Sequence, residues 1–107
     1  MIFNFFTFRK KAGIDIAEIS RFEQFSNDKD HHFLRKTFSD DELLYCFSHK
    51  NPSSHLAGMF CAKEAVSKAL GIEKYPFIEV EIKHTDSGAP YACHHGKKLP
   101  VAISISH

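Results

Sequence analysis

The 107-residue sequence has no tryptophan, 3 cysteines and no charge excess, with 14 Lys+Arg against 13 Asp+Glu. Each scarcity excludes something. A net charge of +1 argues against a broadly basic nucleic-acid binder, which would carry a clear surplus of Lys and Arg. Cys46, Cys61 and Cys93 are odd in number, widely spaced and free of any C-x-x-C. That is neither a disulfide framework nor a zinc site, and it suits a reducing cytoplasm. No apolar run reaches the ~18 residues of a membrane span, so no membrane partner is expected. The start, Met1 to Lys11, does not read as a signal peptide, because its basic residues follow the apolar run and no small-residue cleavage site comes after. No internal repeat, linker or low-complexity tract is present.

What is there is a globular composition, 43% hydrophobic and 25% charged. The length suits one domain spanning 1–107, since single domains commonly run roughly 100–150 residues. Phenylalanine is the surplus, with 11 Phe against 3 Tyr, and points to a dense core or an apolar surface that meets another subunit.

The chain reads as α+β. Gly13 to Ile16 is a short strand, followed by an amphipathic segment from Ala17 to Phe25 with Ile19 and Phe22 on one side. Asp30 is a possible N-cap for a helix to about Lys36. Ser39-Asp40-Asp41-Glu42 is a capping box opening a helix from Asp40 to about Phe47. The break Asn51-Pro52-Ser53-Ser54 precedes the longest helix, Ser54 to Leu70, stopped by Gly71. Leu56, Met59, Ala62, Val66, Ala69 and Leu70 form its apolar stripe, leaving Glu64 and Lys68 on roughly the opposite side. Phe77 to Lys83 alternates as a strand with Ile78, Val80 and Ile82 on one face, Tyr91 to Cys93 is a return strand, His94 to Lys98 a turn, and Pro100 to Ser106 a last strand.

Three places invite chemistry. Asp15 lies in a strand between Ile14 and Ile16, where it is either a functional carboxylate or part of a polar alternate face. Glu64 and Lys68, spaced i, i+4, form on spacing alone a solvated salt bridge worth a few tenths of a kcal/mol. The 8 histidines include the pairs His31-His32 and His94-His95. Neighbours on a strand point to opposite faces, so no zinc or copper site is expected from them. An Asp and a Glu together suit a hard cation such as Mg²⁺, which leaves coordination positions for a substrate phosphate.

Three stretches in order, Gly13-Ile14-Asp15-Ile16-Ala17-Glu18-Ile19, Phe60-Cys61-Ala62-Lys63-Glu64-Ala65-Val66-Ser67-Lys68-Ala69-Leu70-Gly71 and Ile103-Ser104-Ile105-Ser106-His107, resemble the signatures of the holo-acyl-carrier-protein synthases, the small 4′-phosphopantetheinyl transferases. The resemblance runs from about Gly13 to His107. It implies an antiparallel sheet packed against one long helix and shorter helices. It also implies transfer of the phosphopantetheine arm of coenzyme A to a serine of an acyl carrier protein in fatty acid biosynthesis, with release of 3′,5′-ADP. The family uses Mg²⁺ and works as a trimer with its active sites at subunit boundaries. By position, Asp15 and Glu64 match the metal-binding carboxylates, Lys68 the catalytic lysine, His107 the histidine near the coenzyme A pyrophosphate, and Arg21 the basic residue presented to the carrier protein. Arg35 and Lys36 could extend that basic patch. The family continues past the last stretch with an Ala- and Val-rich strand, so the sheet is expected to lack its last strand here. The Phe-rich segment 1–12 has no counterpart, and Phe3 to Phe8 is expected to cover the edge left open. An alternative is a relative that keeps the fold and the oligomer interface without catalysis. A third possibility is an interaction module built on the Phe-rich segment.

Overall fold

The computed structural model describes residues 2–8, 11–17, 19–71 and 78–106, with side chains at 19–71, 78–103 and 105. Strands β1 (Ile2–Phe8) and β2 (Lys11–Ala17) come first. A 3₁₀ helix over Ile19–Phe25 follows, then helices α1 (His32–Thr37), α2 (Asp40–Phe47) and α3 (Pro52–Leu70). Strands β3 (Val80–His84), β4 (Pro90–His94), β5 (Lys97–Lys98) and β6 (Ala102–Ser106) complete the order. The architecture is the expected α+β, but the strands form two antiparallel three-stranded sheets, β2-β1-β6 and β3-β4-β5, instead of one.

The capping box forms as expected. Ser39 Oγ accepts from the Glu42 N–H at 3.2 Å and Glu42 Oε1 accepts from the Ser39 N–H at 2.9 Å, fixing the start of α2. Helix α3 begins two residues before the expected start, at Pro52, whose missing N–H costs nothing in a first turn. It ends at Gly71, where φ of 75° places the residue in the left-handed region that glycine enters without strain.

Other boundaries moved. The segment after β2 is a 3₁₀ helix, and its buried residues are Phe22 and Phe25, which eclipse at a spacing of three. The N-cap of α1 is His31, not Asp30. The His31 Nδ1 accepts from the Phe33 N–H at 3.1 Å. Strand β3 starts only at Val80, and Ile78 is exposed rather than sharing the face of Val80 and Ile82. Phe77 lies outside the described residues. Lys97 and Lys98, expected in a turn, pair as β5 with Cys93 and His94.

Helix α3 is the axis of the fold. Residues on nearly all its sides are buried, Phe60, Cys61 and Ala65 as well as the expected stripe of Leu56, Met59, Ala62 and Val66, which is the mark of a helix wrapped on several sides. Much of the phenylalanine surplus goes into this core. The Phe22 and Phe60 rings lie 5.6 Å apart, and Phe25 stacks on Phe33 at 5.5 Å. Such pairs add about 0.5–1.5 kcal/mol beyond area burial.

The Phe-rich N-terminal segment forms the middle strand of its sheet. Strand β1 pairs with β2 on one side and β6 on the other, so one edge of β6 is covered within the same chain and β6 itself ends the sheet. The register Asn4↔Asp15 and Asn4↔Ile105 puts these three positions on one face of the sheet. It is the face of Ile103 and Ile105, both packed against the core. Ile14, Ile16, Phe3 and Phe5 share the opposite face. By register, Asp15 therefore shares a face of the sheet with the positions of Ile103 and Ile105.

Candidate functional site

Glu64 and Lys68 project one helical turn apart from α3, the helix that packs against β2 and so against the strand carrying Asp15. Lys68 Nζ lies 3.6 Å from Glu64 Oε1, with side-chain exposures of 59% and 24%. The carboxylate is thus more sheltered than the ammonium that partners it. Asp15 holds the register position opposite Asn4 in β1, and its side chain lies outside the described ones. His107 is outside the described residues as well.

Arg21 is exposed, with its guanidinium 6.0 Å from the Phe22 ring centroid. It borders a hollow of about 390 Å³ together with Gln24, Phe25 and Phe33. Of the two further basic residues, Arg35 is already engaged by Asp40 at 3.0 Å.

A second cavity, of about 360 Å³, lies between α2, α3 and the two sheets and is lined by Tyr45, His55, Gly58, His84, Pro90 and Ile105 among others. Tyr45 and His84 stack with centroids 3.7 Å apart and planes at 9°, and His49 stacks on His55 at 3.8 Å. These rings make a flat aromatic wall. At about 100° per residue along α3, Gly58 and His55 stand roughly 120° and 180° around the helix from Glu64, so wall and carboxylate face different ways.

Burial, and next the charge of nearby His49, hold the His84 imidazole below the ordinary histidine value of 6.5. The unfolded chain then takes up the proton first, so this contribution to stability is present above about pH 6.5 and is lost as pH falls through the lower folded value. Melting temperature in wild type should fall on acidification more steeply than in His84→Phe, which keeps a ring on Tyr45 and carries no proton. Parallel curves for the two would show that His84 contributes nothing to the pH dependence.

One residue, Lys63, escaped the sequence reading, and Glu42 was read there only as a helix cap. Lys63 is fully buried, and its ammonium donates to Glu42 Oε1 and to the Val80 carbonyl, both at 2.6 Å. Glu42 Oε2 in turn accepts from the Ile82 N–H at 2.8 Å. One ion pair thereby fastens α2, α3 and β3 together. Burial pushes the Glu42 carboxyl up and the Lys63 ammonium down, while their contact favours the charged pair. The available signal was positional. Lys63 sits three and four residues from Met59, Phe60, Val66 and Ser67, all buried.

The premise that adjacent histidines diverge also fails at one place. His95 has φ of 51° in the β4–β5 turn, and its ring lies 4.1 Å from that of His94. A left-handed residue ends the strand alternation on which the premise rested.

The profile of the 4′-phosphopantetheinyl transferase superfamily matches residues 11–107. Relatives include the holo-acyl-carrier-protein synthases of Thermodesulfovibrio yellowstonii, 38% identical over 97 residues covering 90% of this chain and 86% of that one, and of Clostridium acetobutylicum, 38% identical over 109 residues covering 92% and 87%. Among solved structures, the holo-acyl-carrier-protein synthase of Bacillus anthracis in complex with coenzyme A (3′,5′-ADP) superposes with a TM-score of 0.63 at 25% identity, covering 98% of this chain and 96% of that one. The Helicobacter pylori synthase, solved in complex with coenzyme A, shares the fold with a TM-score of 0.63 at 23% identity over 98% and 96% of the two chains. The chain belongs to the 4′-phosphopantetheinyl transferase superfamily, and within it to the holo-acyl-carrier-protein synthases.

Proposed function

We propose that this chain transfers the 4′-phosphopantetheine arm of coenzyme A to a serine hydroxyl of an apo acyl carrier protein, with Mg²⁺, in fatty acid biosynthesis. The serine oxygen bonds to the phosphorus of the arm, the pyrophosphate P–O bond breaks, and 3′,5′-ADP leaves. The observation that carries this is the Glu64–Lys68 pair on α3, 3.6 Å apart, beside the strand that holds Asp15.

The donor chemistry fits a hard cation. Asp15 and Glu64 offer carboxylate oxygens, the ligands Mg²⁺ takes in ones and twos together with substrate phosphate. When bound, the ion would neutralise pyrophosphate charge, the main need of phosphoryl transfer. Lys68 supplies a compact positive charge to the phosphate oxygens on which negative charge develops. The serine proton passes to Glu64 or to water. His107 is assigned to the pyrophosphate by its match to the family motif.

Arg21 beside the hollow of Phe25 and Phe33 supports docking of an acidic carrier protein, since one guanidinium next to apolar surface offers both charge and burial. Two features support an oligomer, a trimer by family resemblance. The aromatic wall of Tyr45 and His84 suits the heteroaromatic base of a coenzyme, yet it lies around α3 from Glu64. A site at a subunit boundary would join one copy's wall to another's carboxylate. In addition, Phe3, Phe5, Ile14 and Ile16 share a sheet face turned from the core by register. Three buried, unbridged cysteines support a cytoplasmic location.

The test is direct. Apo acyl carrier protein incubated with the chain, coenzyme A and Mg²⁺ should gain the mass of the arm on its serine, and 3′,5′-ADP should appear in equal amount. Chelation should stop both. Coenzyme A binding without any mass gain would leave only a fold-keeping relative.

A further inference from the structure

We propose that Glu79, His94 and His95 form a binding site for one late first-row divalent cation, with Zn²⁺ as the best fit. The site lies on the β3-β4-β5 sheet, not on the sheet that carries Asp15. The ligand atoms of the three side chains all lie within 4.8 Å of one another. Two ligands held ~2.1 Å from one ion stand at most ~4.2 Å apart, so a shift on the order of 1 Å closes the cluster. Glu79 and His95 are exposed and have room to make it.

Topology creates this convergence. The register Val80↔His94 extends to place position 79 across from His95. His95 and Gly96, both left-handed with φ of 51° and 78°, form the two-residue turn between His94 and its partner Lys97. Such turns demand left-handed residues and most often take Asn-Gly. Histidine tolerates that backbone better than most side chains, and there it folds its ring back beside His94.

The second observation is an atom without a partner. Among the described residues, His94 Nε2 is shielded from solvent and has no hydrogen-bond partner. A carboxylate oxygen of Glu79 stands 3.9 Å from it, too far for a hydrogen bond but compatible with two ligands of one ion. A shielded polar nitrogen without a partner is uncommon enough to require an explanation, and an ion supplies one. Two imidazoles and one carboxylate select the borderline cations Zn²⁺, Co²⁺ and their neighbours over Mg²⁺, which prefers oxygen throughout. Three protein ligands leave at least one position open. Binding would tie the entry of β3 to the β4–β5 turn.

The experiment titrates the full, untagged chain with Zn²⁺ alone by calorimetry and with Co²⁺ by visible absorption. One tight equivalent per chain is expected, with cobalt bands of mixed nitrogen and oxygen ligation. His95→Asn keeps a residue suited to the turn and removes a ligand, so its melting temperature without metal should match wild type while Zn²⁺ affinity falls at least about tenfold. His94→Ala should lose the same site. His55→Ala, in the stacked pair with His49, should bind as wild type does. Affinity unchanged in His95→Asn and His94→Ala, or loss in His55→Ala alone, would overturn the assignment.

Discussion

Lys63→Met is expected to destabilise the protein by about 3–5 kcal/mol, the usual cost of stripping a buried charge of its partner. Against the ~5–15 kcal/mol that holds a typical domain together, that is a large share. At about 4–8 °C per kcal/mol for a domain of this size, melting temperature should drop by well over 10 °C. The cause is specific. With the ammonium gone, the Glu42 carboxylate remains in a site with no side-chain exposure, and the Val80 carbonyl loses a donor at 2.6 Å. Glu42→Gln should cost nearly as much, because its amide cannot accept at both oxygens as the carboxylate does from Ser39 and Ile82.

Buried pairs are often replaced by apolar side chains at little cost, which makes the double variant informative. Here the Lys63→Met/Glu42→Met combination should not recover stability, since it still strands the Ser39 and Ile82 N–H groups and the Val80 carbonyl. Lys83→Ala, which removes a half-exposed partner of Glu81 and Asp41, should change stability by less than about 1 kcal/mol. Thermal unfolding of the four variants checks the set. A Lys63→Met protein that melts within a few degrees of wild type would mean that water reaches the pair.

What was legible in the sequence was local. The capping box of Ser39 and Glu42 spans three residues, and the stop of α3 at Gly71 needs only one residue's backbone freedom, so both could be read without knowing the fold. The strand alternation of Val80 and Ile82 was equally local. What could not be read depends on distant partners. Nothing in Phe3 to Phe8 says that β6, at the other end of the chain, is its neighbour. The burial of Lys63 could not be read locally because its acidic partner lies on another helix, 21 residues away. Glu42 was identified for its capping role alone, and its second oxygen serves β3 through a contact no spacing reveals.

The candidate site divides in the same way. Periodicity alone made Glu64 and Lys68 a solvated pair and left Asp15 undecided between two roles. Ordered motifs singled these residues out, and the register sets Asp15 opposite Asn4 on the face shared with Ile105. The His94-His95 pair was set aside as a metal site because a strand rule was applied through a turn. One positive φ at His95 reverses that geometry, and local sequence signals this only through the following glycine.

Glu64→Gln should abolish arm transfer, lowering the rate by about 10³-fold or more, while leaving the fold intact. The substitution keeps the size and hydrogen-bonding shape of the side chain and removes only its charge. If Glu64 holds the cation or takes the serine proton, the loss falls on stabilisation of the reacting phosphoryl group, where single groups contribute about 10²–10⁴-fold. If it is merely one half of an i, i+4 surface pair with Lys68, the effect is a few tenths of a kcal/mol on stability and none on turnover. The two outcomes differ by orders of magnitude, so mass spectrometry of the carrier protein decides between them. Lys68→Gln sharpens the result, because it should also slow transfer but without raising the Mg²⁺ concentration needed for half-maximal rate, whereas Glu64→Gln should raise it. Near-normal product from Glu64→Gln would remove Glu64 from the chemistry. With both variants melting near wild type, as a half-exposed i, i+4 pair allows, lost transfer could not be blamed on lost folding.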